Sequence, residues 1–157
     1  MPDNLATKPS NDDVLAALLT ERVVDIVTTG AKTGQARTTE IWITIIAGEL
    51  FICGSPNASL PDVERRPRDW LANMVAHPRF TLRLKKGISI ELPAEAEPLR
   101  DAAERRRILG SPACEYYLDQ SRSLDQGVRD CPMVRVHFVD DASWVADSLR
   151  VAAADRT

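Results

Sequence analysis

Cysteine is sparse in this chain: Cys53, Cys114 and Cys131 have neither CxxC spacing nor an even count. A disulfide framework is not expected, and free thiols in a reducing compartment are the simplest account. Histidine is rarer still, with His77 and His137 alone, so no metal site is expected. No apolar run approaches the length of a membrane span. Met1–Pro9 is polar, with prolines at both Pro2 and Pro9, and contains no hydrophobic signal-peptide core, so a cytoplasmic location is expected. There is no GxGxxG turn for a dinucleotide, and Gln35 after Gly34 breaks the pattern of a P-loop. Internal repeats and low-complexity segments are missing as well.

What is present fits one globular domain: 157 residues, 44% apolar and 27% charged. The net charge of −3 argues against general nucleic-acid affinity, but it is unevenly spread. From Arg65 to Lys86 seven cations face only Asp69, giving +6, so the remainder carries −9. A basic patch inside an acidic protein suggests a specific small anion.

Apolar periodicity and breakers give a mainly β (α+β) chain of about six strands with flanking helices, a small barrel or sandwich. Ser10–Asp13 caps a helix running through Leu19. Val23–Thr28, Glu40–Ile46, Leu50–Cys53, Phe80–Leu84, Ile88–Leu92 and Met133–Val139 read as strands, with Ala94–Glu97 extended after Pro93. Asp69–Ala76 reads as a helix stopped by Pro78, and Pro98–Leu109 as a second one ended by Gly110. Ala113–Leu118 reads as another turn or two, and Ser121–Asp130 as loop. Residues 10–146 form the expected domain, after a flexible segment 1–9 and before a frayed tail 147–157.

The chemistry concentrates in Thr28-Thr29-Gly30-Ala31-Lys32-Thr33-Gly34-Gln35-Ala36-Arg37-Thr38-Thr39, between two β-branched runs. Its glycines permit a tight backbone path, Lys32 and Arg37 supply charge, and no carboxylate occurs before Glu40. Such a loop suits a phosphate or carboxylate. The plain alternative is a solvated hairpin connection.

That stretch, followed by Asp69-Trp70-Leu71-Ala72-Asn73-Met74-Val75-Ala76-His77-Pro78, resembles in order and spacing the deazaflavin-dependent nitroreductase family. This family lies within the split-barrel flavin reductase and pyridoxamine-phosphate-oxidase-like superfamily. The likeness spans residues 22–98. It implies a split β-barrel binding coenzyme F420, with FMN as the alternative cofactor. It also implies hydride transfer to an electron-poor small molecule: an activated C=C, a quinone or a nitro compound. A non-catalytic flavin-binding protein is the rival of another class. The implied cofactor contacts are Lys32, Thr33, Gly34, Gln35, Ala36, Arg37, Thr39, Gly54, Ser55, Trp70 and Asn73, and a homodimer is expected by the same analogy. The basic Arg65–Arg68 and Lys85-Lys86 clusters are placed along the cofactor's glutamate tail. Ala31 stands where the family commonly has arginine, and Pro56-Asn57-Ala58-Ser59 replaces a shorter Ser-Gly-Gly-like run.

Outside this region, Tyr116 and Tyr117 are the candidates for a proton donor or substrate wall, with packing as the competing role. Trp70 reads equally as core filler, and Asn73 equally as a local bridge. Arg105–Arg107 reads as a solvated helix face or a set of pairs with nearby acids.

Overall fold

The computed structural model describes residues 8–56 and 69–155, and its organising element is an antiparallel barrel. The strands are β1 (Val23–Thr29), β2 (Ala36–Ile46), β3 (Glu49–Cys53), β4 (Arg79–Leu84), β5 (Ile90–Pro98) and β6 (Met133–Phe138). They run in the order β1-β2-β3-β6-β5-β4, and β1 pairs with β4 to close the ring. The β1–β4 seam closes the ring, while the stretch Ala36–Trp42 of β2 pairs with β1 alone. Alternation along each strand sends Val24, Ile26, Leu50, Ile52, Leu82, Leu84, Val134 and Val136 into the barrel core.

On the opposite face Phe51 and Cys53 of β3 and Met133 of β6 are also apolar, and a helical layer covers them. Phe51, Cys53 and Met133 pack there with Ile108, Leu109, Cys114, Tyr117 and Cys131 as a second buried cluster. This layer consists of α3 (Ala102–Leu109), the tight turn Pro112–Cys114, α4 (Glu115–Asp119) and α5 (Leu124–Asp130). The two further helices near the chain ends are α1 (Asn11–Thr20) and α6 (Trp144–Ala154), and α2 (Asp69–Ala76) crosses beside β1 and β5.

Several boundaries differ from the sequence reading for identifiable reasons. β2 begins at Ala36 rather than Glu40 because the β1 ladder continues through Arg37↔Thr28 to Ala36↔Thr29. β5 runs through Pro93, which lies just beyond the stretch paired with β6; there its carbonyl accepts the Val139 N–H at 3.0 Å. Pro98 ends that strand instead of opening a helix, and Asp101 caps α3 by accepting the Glu104 N–H at 2.9 Å.

Ser121–Asp130 is not all loop, since Ser123 caps α5 through the Gln126 N–H at 3.1 Å. Gly127 within that helix masked its signature; a Cβ there would lie 2.4 Å from Leu109 Cδ2. Nor is 147–154 a frayed tail: Val145 and Leu149 are buried where α6 lies against the β2–β3 turn. The expected flexible segment falls mostly outside the described residues, as do positions 156 and 157.

Arg105 departs from the solvated-face reading. Its guanidinium reaches inward to the carbonyls of Leu99 (2.8 Å), Val128 (2.7 Å) and Cys131, tying α3 to the segment around α5. Burial lowers its pKa, yet a guanidinium stays protonated. Arg106 and Arg107 do pair with acids, Asp125 and Glu104.

The three cysteines are free and at most 1% exposed. Hydrogen bonding with Cys114, then burial, pushes the Cys53 thiol well above its ordinary value. A disulfide reagent at neutral pH should therefore titrate no thiol in the native protein and three after denaturation. Rapid native labelling would show that the helical layer opens readily.

Candidate functional site: an anion loop beside a cleft

β1 and β2 form a long hairpin whose connection, residues 30–35, is fastened by its own backbone. The Gly30 N–H donates to the Gln35 carbonyl at 2.7 Å, and the Gly34 N–H to the Gly30 carbonyl at 2.9 Å. Gly34 has φ +71°, a conformation that favours glycine. At Gly30 the reason is space, because a Cβ would come 2.6 Å from Thr33 Oγ1. That hydroxyl accepts the Gln35 N–H at 3.2 Å, which leaves its own proton free to donate outward.

Beside the loop is a cleft of about 430 Å³, within the range of roughly 300–1,000 Å³ usual for small-molecule sites. Lys32, Thr33, Arg37, Thr38 and Thr39 line one side. Asp69, Trp70, Ala72 and Asn73 from α2 line the other, and Gly30 and Ala31 of the loop complete the lining. Two cations less Asp69 give the lining a formal charge of +1. Among the described residues no ion pair involves Lys32 or Arg37.

The cations of β4 and its following turn behave differently. Lys85 reaches Asp25 at 2.9 Å and also Glu40, while Arg83 meets Glu91 at 3.0 Å and Arg79 meets Asp140 at 2.7 Å. The barrel register sets Asp25 opposite both Glu40 and Arg83, so acids from neighbouring strands neutralise this part of the basic stretch. Lys85 is therefore committed within the protein, and the role along a glutamate tail does not fit it. Arg65, Arg66 and Arg68 lie outside the described residues, as do positions 57–59 of the altered loop.

Of the residues singled out from sequence, Lys32, Thr33, Arg37, Thr39, Trp70 and Asn73 meet at this cleft. Gly34 and Gln35 shape the loop through their backbones, and Ala36 begins β2 opposite Thr29. Gly54 is placed elsewhere: its N–H donates to the Pro132 carbonyl at 3.0 Å, and an added Cβ would strike Pro132 Cγ at 2.8 Å. Trp70 Cζ2 would lie 3.6 Å from that Cβ, so Gly54 backs the indole rather than lining the cleft. Ser55, half-buried, is likewise not part of the lining. Trp70 is 7% exposed, at once core and wall.

Tyr116 and Tyr117 are not brought to the cleft. Tyr117 is buried in the second cluster, and burial pushes its phenol above the usual range, which disfavours proton donation as phenolate formation. Tyr116 is exposed and packs at a tilt against Trp42, with ring centroids 5.1 Å apart. Thr38, Asp69 and Ala72 were not anticipated as lining. All three lie within the two quoted stretches, and only the placement of α2 against the hairpin shows that they face the same cleft.

Residues 9–136 match the family described as F420H(2)-dependent quinone reductase. Similar solved structures include a putative 5-nitroimidazole antibiotic resistance protein from Bacteroides thetaiotaomicron, at 11% identity and TM-score 0.59, covering 85% of this chain and 82% of that one. A pyridoxinephosphate oxidase family protein from Clostridium acetobutylicum matches at 12% identity and TM-score 0.58, covering 80% of each chain. A NimC/NimA family protein from the same organism matches at 20% identity and TM-score 0.55, covering 79% of each. At these identities the likeness establishes the split-barrel fold. No match was found among curated proteins.

Proposed function

The chain belongs to the F420H(2)-dependent quinone reductase family, and from that premise we propose that loop 30–37 receives the phosphate of coenzyme F420 while a quinone is the acceptor. The protein is an oxidoreductase, and its cofactor is coenzyme F420. When bound in reduced form, that cofactor supplies hydride to an electron-poor acceptor. The observation that carries the site assignment is a cleft whose Lys32 and Arg37 have no carboxylate partner among the described residues.

The residues present fit an anionic cofactor end. Lys32 supplies a compact charge with several donors, and the planar Arg37 guanidinium can grip two phosphate oxygens together. The Thr33 proton is free to donate, and Gly34 adds no side chain between backbone and ligand. Trp70 offers an apolar wall that excludes water from one side. The protein's contribution is thus binding and orientation, and no side chain at the cleft is assigned the transfer of a proton.

A cytoplasmic enzyme accords with the free buried thiols, and among the described residues no helix is long and apolar enough to cross a membrane. A homodimer is supported by the exposed Trp42–Tyr116 pair, beside a part of β2 that pairs with β1 alone.

The activity test follows oxidation of reduced F420 by its absorbance, with a quinone, a nitroimidazole and an enone in parallel. Fast turnover of the quinone is expected. Turnover of the nitro compound or enone alone would contradict the acceptor assignment while leaving the cofactor site standing.

A further inference from the structure

The hydrogen bonds inside loop 30–35 fix its shape but not its position on the barrel. Position is set from α2. Asn73 Oδ1 accepts the Ala31 N–H at 2.8 Å, and Asn73 Nδ2 donates to Thr28 Oγ1 at 3.1 Å. These contacts span 42 and 45 residues of sequence, and both side chains are withdrawn from water, Asn73 at 8% exposure and Thr28 at 1%. Among the described residues, no other hydrogen bond joins loop positions 30–35 to a different element.

An amide suits this place because it presents an acceptor and a donor at once. Asn73 lies one helical turn after Trp70, so the same helix sets the cleft's apolar wall and the position of its charged loop. We propose that Asn73 is a positioning residue: it latches the anion loop to α2 and holds Lys32 and Arg37 ready for the cofactor phosphate. The latch rests on the phosphate-site reading given above. Its benefit is preorganisation, since a loop already placed loses less freedom when the ligand binds.

Asn73→Leu keeps the branched outline, with somewhat greater bulk, but leaves the buried Thr28 hydroxyl without its partner. Thr28→Val combined with Asn73→Leu replaces that side-chain pair by apolar groups of similar shape, which protects the fold. In both variants the Ala31 N–H loses its acceptor.

The test has a ligand-free arm and a binding arm, run on the full chain. In the ligand-free protein, amide exchange at Ala31, followed by NMR, should quicken by roughly tenfold or more in the double variant, while amides of the β4 and β5 ladder stay protected. In calorimetric titration, F420 should bind the same variant roughly tenfold more weakly. Unchanged Ala31 exchange would overturn the latch, as would unchanged F420 affinity in a protein where Lys32→Ala with Arg37→Ala does weaken binding. If that charge-deleted protein also binds F420 normally, the phosphate site itself is wrong, and the latch falls with it.

Discussion

Lys32→Ala combined with Arg37→Ala is expected to weaken F420 binding by about tenfold or more while the fold stays intact. Each side chain can make a charge-assisted hydrogen bond to phosphate, worth on the order of 1.5–3 kcal/mol. Both residues are exposed, so water screens part of that, and a total near 3 kcal/mol is a fair order of magnitude. Since about 1.4 kcal/mol corresponds to a factor of ten, even half of it gives the stated loss. Folding should be spared, because neither side chain belongs to a buried cluster or a salt bridge among the described residues. Calorimetric titration reads the affinity, and a melting curve checks the fold. A change below about twofold would remove the loop from the site.

Phe51→Ala should have the largest effect on stability and none on the site. Phe51 is wholly buried on the outward face of β3, and the Arg135 guanidinium lies 5.4 Å from its ring centroid. It therefore joins the barrel wall to the helical layer. Truncating a buried phenylalanine costs about 3–5 kcal/mol, a large share of the roughly 5–15 kcal/mol that holds a domain together. Urea denaturation should show a midpoint shifted well down with little change in slope. Because β3 contributes nothing to the cleft lining, F420 affinity measured far below the melting transition should match the parent. A loss under about 1 kcal/mol would mean that the helical layer is not a second core.

The parts of the fold visible in the sequence are those with local causes. Helix α2 is legible to the residue, since Asp69 opens it and Pro78 prevents its continuation. The alternation of β4 gave its buried face directly. By contrast, α5 was hidden by Gly127, whose presence answers to Leu109 on another helix. The last helix leaves little local trace because α6 takes its order from Val145 and Leu149 packing, not from its own polar caps.

Charge was the least legible property. A run of cations looks like a basic patch until the register brings Asp25 and Glu40 beside Lys85. The loop was legible because its glycines, cations and hydroxyls are contiguous. Its opposite wall is only partly so: Trp70 and Asn73 stand out in the motif, whereas Asp69 and Ala72 of the same stretch join the lining only through where the helix docks. Gly54, just past the end of β3, lies behind the indole against Pro132, a placement no local signal shows.

The most direct measurement is a binding cycle in which two ligands, F420 and the same deazaflavin ring and ribityl chain lacking the phosphate and tail, are titrated into the parent protein and the Lys32→Ala, Arg37→Ala protein. The expected result is that the parent prefers F420 by about tenfold or more and that the paired substitutions abolish this preference, leaving the phosphate-free ligand bound as before. Equal losses for both ligands, or a preference that survives the substitutions, would contradict a phosphate held by this loop.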